Sequence, residues 1–277
     1  MITRRRFVQA AAATALLPLR LPLGPPSPVL EIGVQLYVVR EAMRAAPDAT
    51  LARLSALGFR SIEWWGRWPE APSRWRARLA AHGVASPSVH VELQDLQPEA
   101  LDATLDGAAA MGQQSVLLAW TPPAVRASLA QYRAMAELLN RAGRAAALRG
   151  MRVGYHNHDF DTVRIDGALP LELLLDSTDP ATVCFELDCY WAASSGLDPL
   201  ALLQRFPARF RLLHLKDVGP APAYQMRDVG DGTLPWARLL ERAQAQGVSH
   251  AFVEHDTPLD PWASIARSRA YLRTLGY

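Results

Sequence analysis

From Glu31 onward, short runs of β-branched, aromatic and aliphatic residues alternate with longer stretches whose apolar positions recur every three or four residues. The short runs lie at Ile32–Tyr37, Ser61–Trp64, Ser86–Val91, Ser115–Ala119, Arg152–His156, Val183–Asp188, Arg211–Leu215 and Ala251–Glu254. They read as strands, and stretches such as Thr50–Leu57, Leu129–Arg149 and Trp236–Gln246 read as amphipathic helices. Gly58, Gly112, Gly150 and Gly247 each stand between such a helix and the next strand, where a left-handed residue closes the helix. Strand, crossover helix and strand, repeated, require parallel pairing and a sheet covered on its outer face. Eight such units over about 245 residues predict an α/β fold of the closed (β/α)₈ TIM-barrel type. The rival is an open doubly wound sheet, but the first strand runs into Gly33-Val34-Gln35-Leu36, which lacks the G-x-G-x-x-G spacing of that fold.

The first 30 residues have a different character. Thr3-Arg4-Arg5-Arg6-Phe7-Val8 followed by an alanine-rich apolar stretch from Ala10 to Leu17 has the pattern of a twin-arginine export signal, and Pro22–Pro28 forms a proline-rich linker. The expected organisation is leader and linker over 1–30 and one catalytic barrel over 31–277, delivered by the twin-arginine export machinery to the periplasm. No small-x-small cleavage triplet stands out, so an uncleaved leader is the one expected membrane attachment.

Removing the leader also changes the charge. Residues 1–30 hold four of the 29 basic residues and none of the 27 acidic ones, so the remainder carries 25 basic against 27 acidic side chains. That balance argues against a nucleic-acid partner, which requires a basic surface. Self-association into a homo-oligomer is left open. Cys184 and Cys189 are the only cysteines. In an extended segment their Cα atoms would lie roughly 16 Å apart, too far for a disulfide, so both read as core residues.

In a barrel, chemistry gathers where strands end and the following loops begin. Five of the seven histidines fall there (His90, His156, His158, His214 and His255), while His82 and His250 fall at the opposite ends. Glu63, Asp188 and Glu254 close the second, sixth and eighth strands, and Glu186 shares a face with Asp188 at greater depth. Asp188, His214 and Glu254 come from adjacent strands. Such mixed carboxylate and imidazole donors suit one divalent ion, among Mn, Co, Zn, Mg or Fe. Alternation turns His156 and His158 to the same side and Asn157 away; His156 is taken as the fourth ligand and His158 as a catalytic group.

Lys216 is the only lysine, against 28 arginines. Arginine cannot replace a compact ammonium where one must approach a hydroxyl or enolate oxygen, so Lys216 is expected to be catalytic, beside Glu254. Substrate contacts are expected from Glu63, His90, Trp64, Trp191 and Asp217. Trp65, Trp68 and Trp120 also follow strand ends, where indoles can stack on sugar faces.

These motifs together resemble the sugar phosphate isomerase/epimerase family of the xylose isomerase-like barrel superfamily. The resemblance runs from Ile32-Gly33-Val34-Gln35-Leu36-Tyr37 through Gly154-Tyr155-His156-Asn157-His158-Asp159, Phe185-Glu186-Leu187-Asp188 and Leu213-His214-Leu215-Lys216-Asp217 to Val253-Glu254-His255-Asp256. Asp228–Trp236 is similar to the family's glycine-rich loop. The resemblance implies a metal-dependent enzyme moving protons on a sugar through enediolate chemistry, as an isomerase or epimerase. It also implies a metal set that maps onto Asp188, His214 and Glu254. Two departures stand out: His156 replaces a strand-five glutamate, and Trp191 replaces a histidine. They keep open a lyase or dehydratase acting on a 3-keto sugar, and a non-catalytic sugar-binding barrel. An endonuclease IV-like phosphodiesterase shares the superfamily but needs more metal ligands.

Overall fold

The computed structural model describes residues 30–277; the proposed export leader lies outside the described residues. Among the described residues ten strands form: β1 (Glu31–Gln35), β2 (Ser61–Trp65), β3 (Ala85–Glu92), β4 (Ser115–Trp120), β5 (Arg152–His156), β6 (Val183–Asp188), β7 (Phe210–Leu215), β8 (Asp217–Val218), β9 (Met226–Arg227) and β10 (His250–Val253). Eight of them close a barrel in the order β1-β10-β7-β6-β5-β4-β3-β2, every pairing parallel. The expected TIM barrel is therefore present and the open sheet is not. β8 and β9 form a small antiparallel ribbon beyond the end of β7.

Helices fill the crossovers. Leu129–Ala147 shows why: Tyr132, Met135, Ala136, Leu139, Ala142, Gly143 and Ala146 are buried along one stripe, as a period of 3.6 dictates. Ser128 caps its first turn by accepting from the Gln131 N–H, and the Gln131 side chain answers on the Ser128 N–H. The helix stops short of Arg149, and Gly150 adopts φ 71°. Gly58, Gly112 and Gly247 likewise have positive φ, as the helix-closing role requires.

The barrel interior is layered by the two-residue period of its strands. Leu117, Cys184, Leu212 and Phe252 form an apolar plug at the base. Gly33 makes room for it, since a Cβ there would stand 2.6 Å from the Phe252 ring and 2.7 Å from the Ser61 carbonyl. One step higher on the same faces lie Gln35, Glu63, Ser88, Glu186 and His214, all fully buried. A further step reaches the mouth. Both cysteines are buried and free, as expected.

Candidate active site and metal centre

Two strand ends set the geometry at the mouth. Asp188 ends β6 and also caps the helix Cys189–Ser194, its Oδ1 accepting from the Trp191 N–H at 3.0 Å. Asn157 clamps the same point: its Oδ1 accepts from the Asp188 N–H at 2.9 Å, and its Nδ2 donates to the Asp188 carbonyl at 3.4 Å. With Oδ1 engaged, Asp188 Oδ2 is turned into the barrel. There Asp188, His214 and Glu254 offer donor atoms that all lie within 4.8 Å of one another, every residue buried. His156 adjoins this group, its Nε2 lying 3.6 Å from Asp188 Oδ2.

Lys216 completes the mouth. Its Nζ lies 3.0 Å from Asp188 Oδ2, 2.8 Å from Glu254 Oε2 and 2.7 Å from Asp256 Oδ1, to which it donates a hydrogen bond. Burial alone would lower its pKa, but Asp188, Glu254 and Asp256 hold it well above the ordinary lysine value, so it stays an ammonium. Burial would likewise raise Glu254, yet Lys216 and His214 keep it far below the usual carboxylate range. Glu254 is ionised.

The donor set fits a divalent cation. Asp188 Oδ2 meets Lys216 Nζ at 3.0 Å and His214 Nδ1 meets Glu254 Oε2 at 2.7 Å, so the carboxylate and imidazole donor atoms are gathered face to face at the mouth. Asp188, Glu254 and Asp256 gather around the Lys216 ammonium with His214 beside Glu254, a mixed carboxylate and imidazole donor set of the kind that suits a divalent cation.

Beneath the mouth lies a buried layer of carboxylates and imidazoles. His214 Nε2 meets Glu63 Oε2 at 2.7 Å, His156 Nδ1 meets Glu186 Oε2 at 3.0 Å, and His90 Nε2 lies between Glu186 (2.7 Å) and Glu63 (2.9 Å). Gln35 and Ser88 donate to the two Glu63 oxygens. Burial and the nearby Glu63 charge push Glu186 up to about 7. Burial would lower His90, but the two glutamates raise it to about 9.

The cleft above, about 260 Å³, is lined by Tyr37, Trp65, His90, Ala119, Trp120, His156, His158, Lys216, Glu254 and Asp256. His158 is pulled down to about 3 by burial and by the Lys216 charge, so its imidazole is neutral, and its Nδ1 has no partner. The loop carrying it is tied down by Asp161, which accepts from the His158 N–H and from the Tyr132 and Tyr155 hydroxyls.

The structure thus brings Lys216, Glu254, His156, His158, Asp188, His214 and His90 together and corrects the rest. Glu63, expected among the substrate contacts, lies one layer too deep and is fully engaged by Gln35, Ser88, His90 and His214. Trp64 points outward against Trp75, because alternation along β2 places Trp65 inside. Trp65 and the half-exposed Trp120 face the cleft instead. Trp191 stands behind His158 at a ring separation of 5.7 Å and does not line the cleft. Asp217 is turned away: it accepts from the N–H groups of Val218, Gly230 and Leu234 and from Trp236 Nε1, which shapes the glycine-rich loop. His255 caps a turn by accepting from the Thr257 N–H. Asp256 and Asn157 were missed. The signal for Asp256 was its place two residues beyond Glu254, on the same alternation.

The model of the xylose isomerase-like TIM barrel family matches residues 51–275, and the chain belongs to that family. An inosose dehydratase of Geobacillus thermodenitrificans (strain NG80-2) is 29% identical over 155 residues, covering 49% of this chain and 51% of that protein. The chain thus spans about half the length of that curated relative. A sugar phosphate isomerase/epimerase of Parabacteroides distasonis ATCC 8503 superposes with a TM-score of 0.77 at 24% identity, covering 88% of this chain and 93% of that one. The IOLI protein, solved with a bound zinc atom, superposes at 0.69 with 12% identity, covering 89% and 98%. The family match establishes the family, and the structural likenesses establish the fold.

Proposed function

We propose that this protein is a divalent-metal-dependent enzyme that removes a proton from the carbon beside a carbonyl of a sugar or sugar-like polyol. The observation that carries this reading is the buried convergence of Asp188, His214, Glu254 and Lys216 on the floor of an open cleft. His156, Asp188, His214 and Glu254 would hold the ion. A divalent ion there supplies Lewis acidity, which lowers the energy of an enediolate. Glu254 takes the proton at Oε1, the oxygen that Lys216 and His214 do not engage, as the C–H bond breaks, and the electron pair moves onto the carbonyl oxygen. Lys216 Nζ offsets the charge that develops on the substrate. His90, a cation whose Nε2 is held by the two glutamates, donates to a substrate hydroxyl through its other nitrogen, the neutral His158 accepts from hydroxyls or donates to them, and Trp65 and Trp120 flank the ring.

The same first step serves isomerisation, epimerisation or loss of water. One-sidedness favours elimination as a second reading. Among the described residues the carboxylates lining this cleft are the neighbours Glu254 and Asp256, whereas the facing wall carries Trp65, His90 and Trp120. The dehydratase relative points the same way. The test is incubation of metal-loaded protein with a panel of sugars, keto-glycosides and cyclic keto-polyols in deuterated water, followed by NMR. Deuterium at the carbon beside the carbonyl supports the proposal, and an unsaturated product selects elimination. Tight sugar binding with neither exchange nor product would instead mark a non-catalytic binder.

The leader adds the proposal that the enzyme works after twin-arginine export, on sugars outside the cytoplasm rather than phosphorylated ones. Changing Arg4 and Arg5 to lysine should then retain it in the cytoplasm; unchanged fractionation would end that proposal.

A further inference from the structure

We infer that Glu186, a carboxylate that never reaches the cleft, makes His156 a metal ligand, and that the site consequently takes a borderline ion such as zinc, cobalt or iron in preference to magnesium or manganese. The inference rests on the metal reading above and adds to it the atom His156 uses and the class of ion.

An imidazole offers a lone pair only on the nitrogen without a hydrogen, so what its other nitrogen meets decides which one can ligate. His156 Nδ1 lies 3.0 Å from Glu186 Oε2, and both side chains are fully buried. The opposite tautomer would set a nitrogen lone pair against a carboxylate oxygen with no water to relieve it. Nδ1 therefore carries the hydrogen and donates. Nε2 is left as the lone pair, on the side of Asp188 Oδ2, 3.6 Å away. Glu186 is itself held from across the barrel, because His90 Nε2 meets the same Oε2 at 2.7 Å.

The arrangement recurs with the ends exchanged on the neighbouring ligand. His214 Nε2 meets Glu63 Oε2 at 2.7 Å and its Nδ1 meets Glu254 Oε2 at 2.7 Å, so an ion held by Nδ1 would take the place of the hydrogen shared with Glu254. Both glutamates stand one layer below the mouth, each backing an imidazole whose other nitrogen points up toward the mouth carboxylates. Two imidazole nitrogens and two carboxylates make a softer donor set than the all-oxygen surroundings that magnesium and manganese favour. A carboxylate behind a ligating histidine also fixes its orientation and raises its basicity. Glu186 is thus a positioning residue, acting through His156.

The test is titration of the metal-free full-length protein with cobalt(II), read by calorimetry and by the visible absorption bands of the bound ion. Glu186→Gln, which keeps the shape and an acceptor oxygen, should weaken cobalt binding about 10-fold, and Glu186→Leu up to about 100-fold. His156→Ala should weaken it at least as much and alter the cobalt spectrum. The double variant His156→Ala/Glu186→Leu should be no worse than His156→Ala alone, because Glu186 has nothing left to act on. Unchanged affinity in both Glu186 variants overturns the inference, as do additive losses in the double variant or an unaltered spectrum in His156→Ala. Tighter binding of magnesium or manganese than of cobalt overturns the assignment of ion class. Should Glu186→Leu fail to fold, Glu186→Gln carries the comparison alone. Wild-type protein that binds no cobalt defeats the metal reading together with this one, whereas cobalt bound equally by wild type and variants defeats this one only.

Discussion

Replacing Lys216 with methionine removes a buried ammonium from among three carboxylates while keeping the length of the side chain. The contacts are 3.0 Å to Asp188, 2.8 Å to Glu254 and 2.7 Å to Asp256. At an effective dielectric constant of about 20, each of the first two is worth roughly 5–6 kcal/mol of gross attraction. Asp256 counts for less, since its side chain is 29% exposed. Desolvation offsets much of this sum, and breaking one side of a buried pair has a net effect of about 3–5 kcal/mol. For a domain of this size that corresponds to a fall in melting temperature on the order of 10 °C. The sign reverses for metal. With the ammonium gone, Asp188 loses its counter-charge and Glu254 keeps only His214, so Lys216→Met should bind a divalent ion at least as tightly as the wild type and regain most of its stability from it. The assay is thermal unfolding with chelator and then with saturating cobalt, beside turnover. An inactive, metal-rescued variant fits the account. A variant that melts like wild type under chelation, or that loses metal affinity, refutes the charge balance drawn here.

Asp217→Ala strands four donors, three backbone N–H groups and the Trp236 indole; it should cost about 3 kcal/mol or more and speed hydrogen exchange across residues 228–236, which protected amides there would contradict. Asp161, pushed up to about 7 by burial against the pull of the His158 N–H and of the Tyr155 and Tyr132 hydroxyls, titrates near about 3.9 when unfolded. Its stabilising share is therefore complete below about pH 4 and lost as pH rises towards about 7. Urea unfolding should show wild type losing stability relative to Asp161→Asn across that window, and a flat difference would count against it. Chelation should lower the wild-type melting temperature, and cobalt at about 1,000 times its Kd should restore about 4 kcal/mol; an unresponsive melt would speak against a bound ion.

Much of this was legible before any coordinates. The helix-closing glycines Gly58, Gly112, Gly150 and Gly247 and the eight strand runs located the barrel to within a residue or two, because local backbone chemistry and side-chain period determine both. Alternation also placed His156 with His158, and Glu186 with Asp188, on shared inward faces. It does not measure height. Glu63 was expected at the mouth but lies a layer below, and only the stagger of the closed barrel decides which rung meets the cleft. Trp64 and Trp65 differ by one position, so misjudging the end of β2 exchanges wall for mouth. Asp217 was misread because its partners lie as far as 19 positions away, in a loop whose path pattern alone does not show.

The most direct test is the metal content of purified protein, with the ion located by anomalous scattering in a crystal. About one divalent ion per chain, bound by Asp188, His214 and Glu254 and lost in Asp188→Asn and Glu254→Gln, is the predicted result. A protein that carries no ion after incubation with zinc, cobalt, iron or manganese, or one that binds it away from those three side chains, contradicts the account.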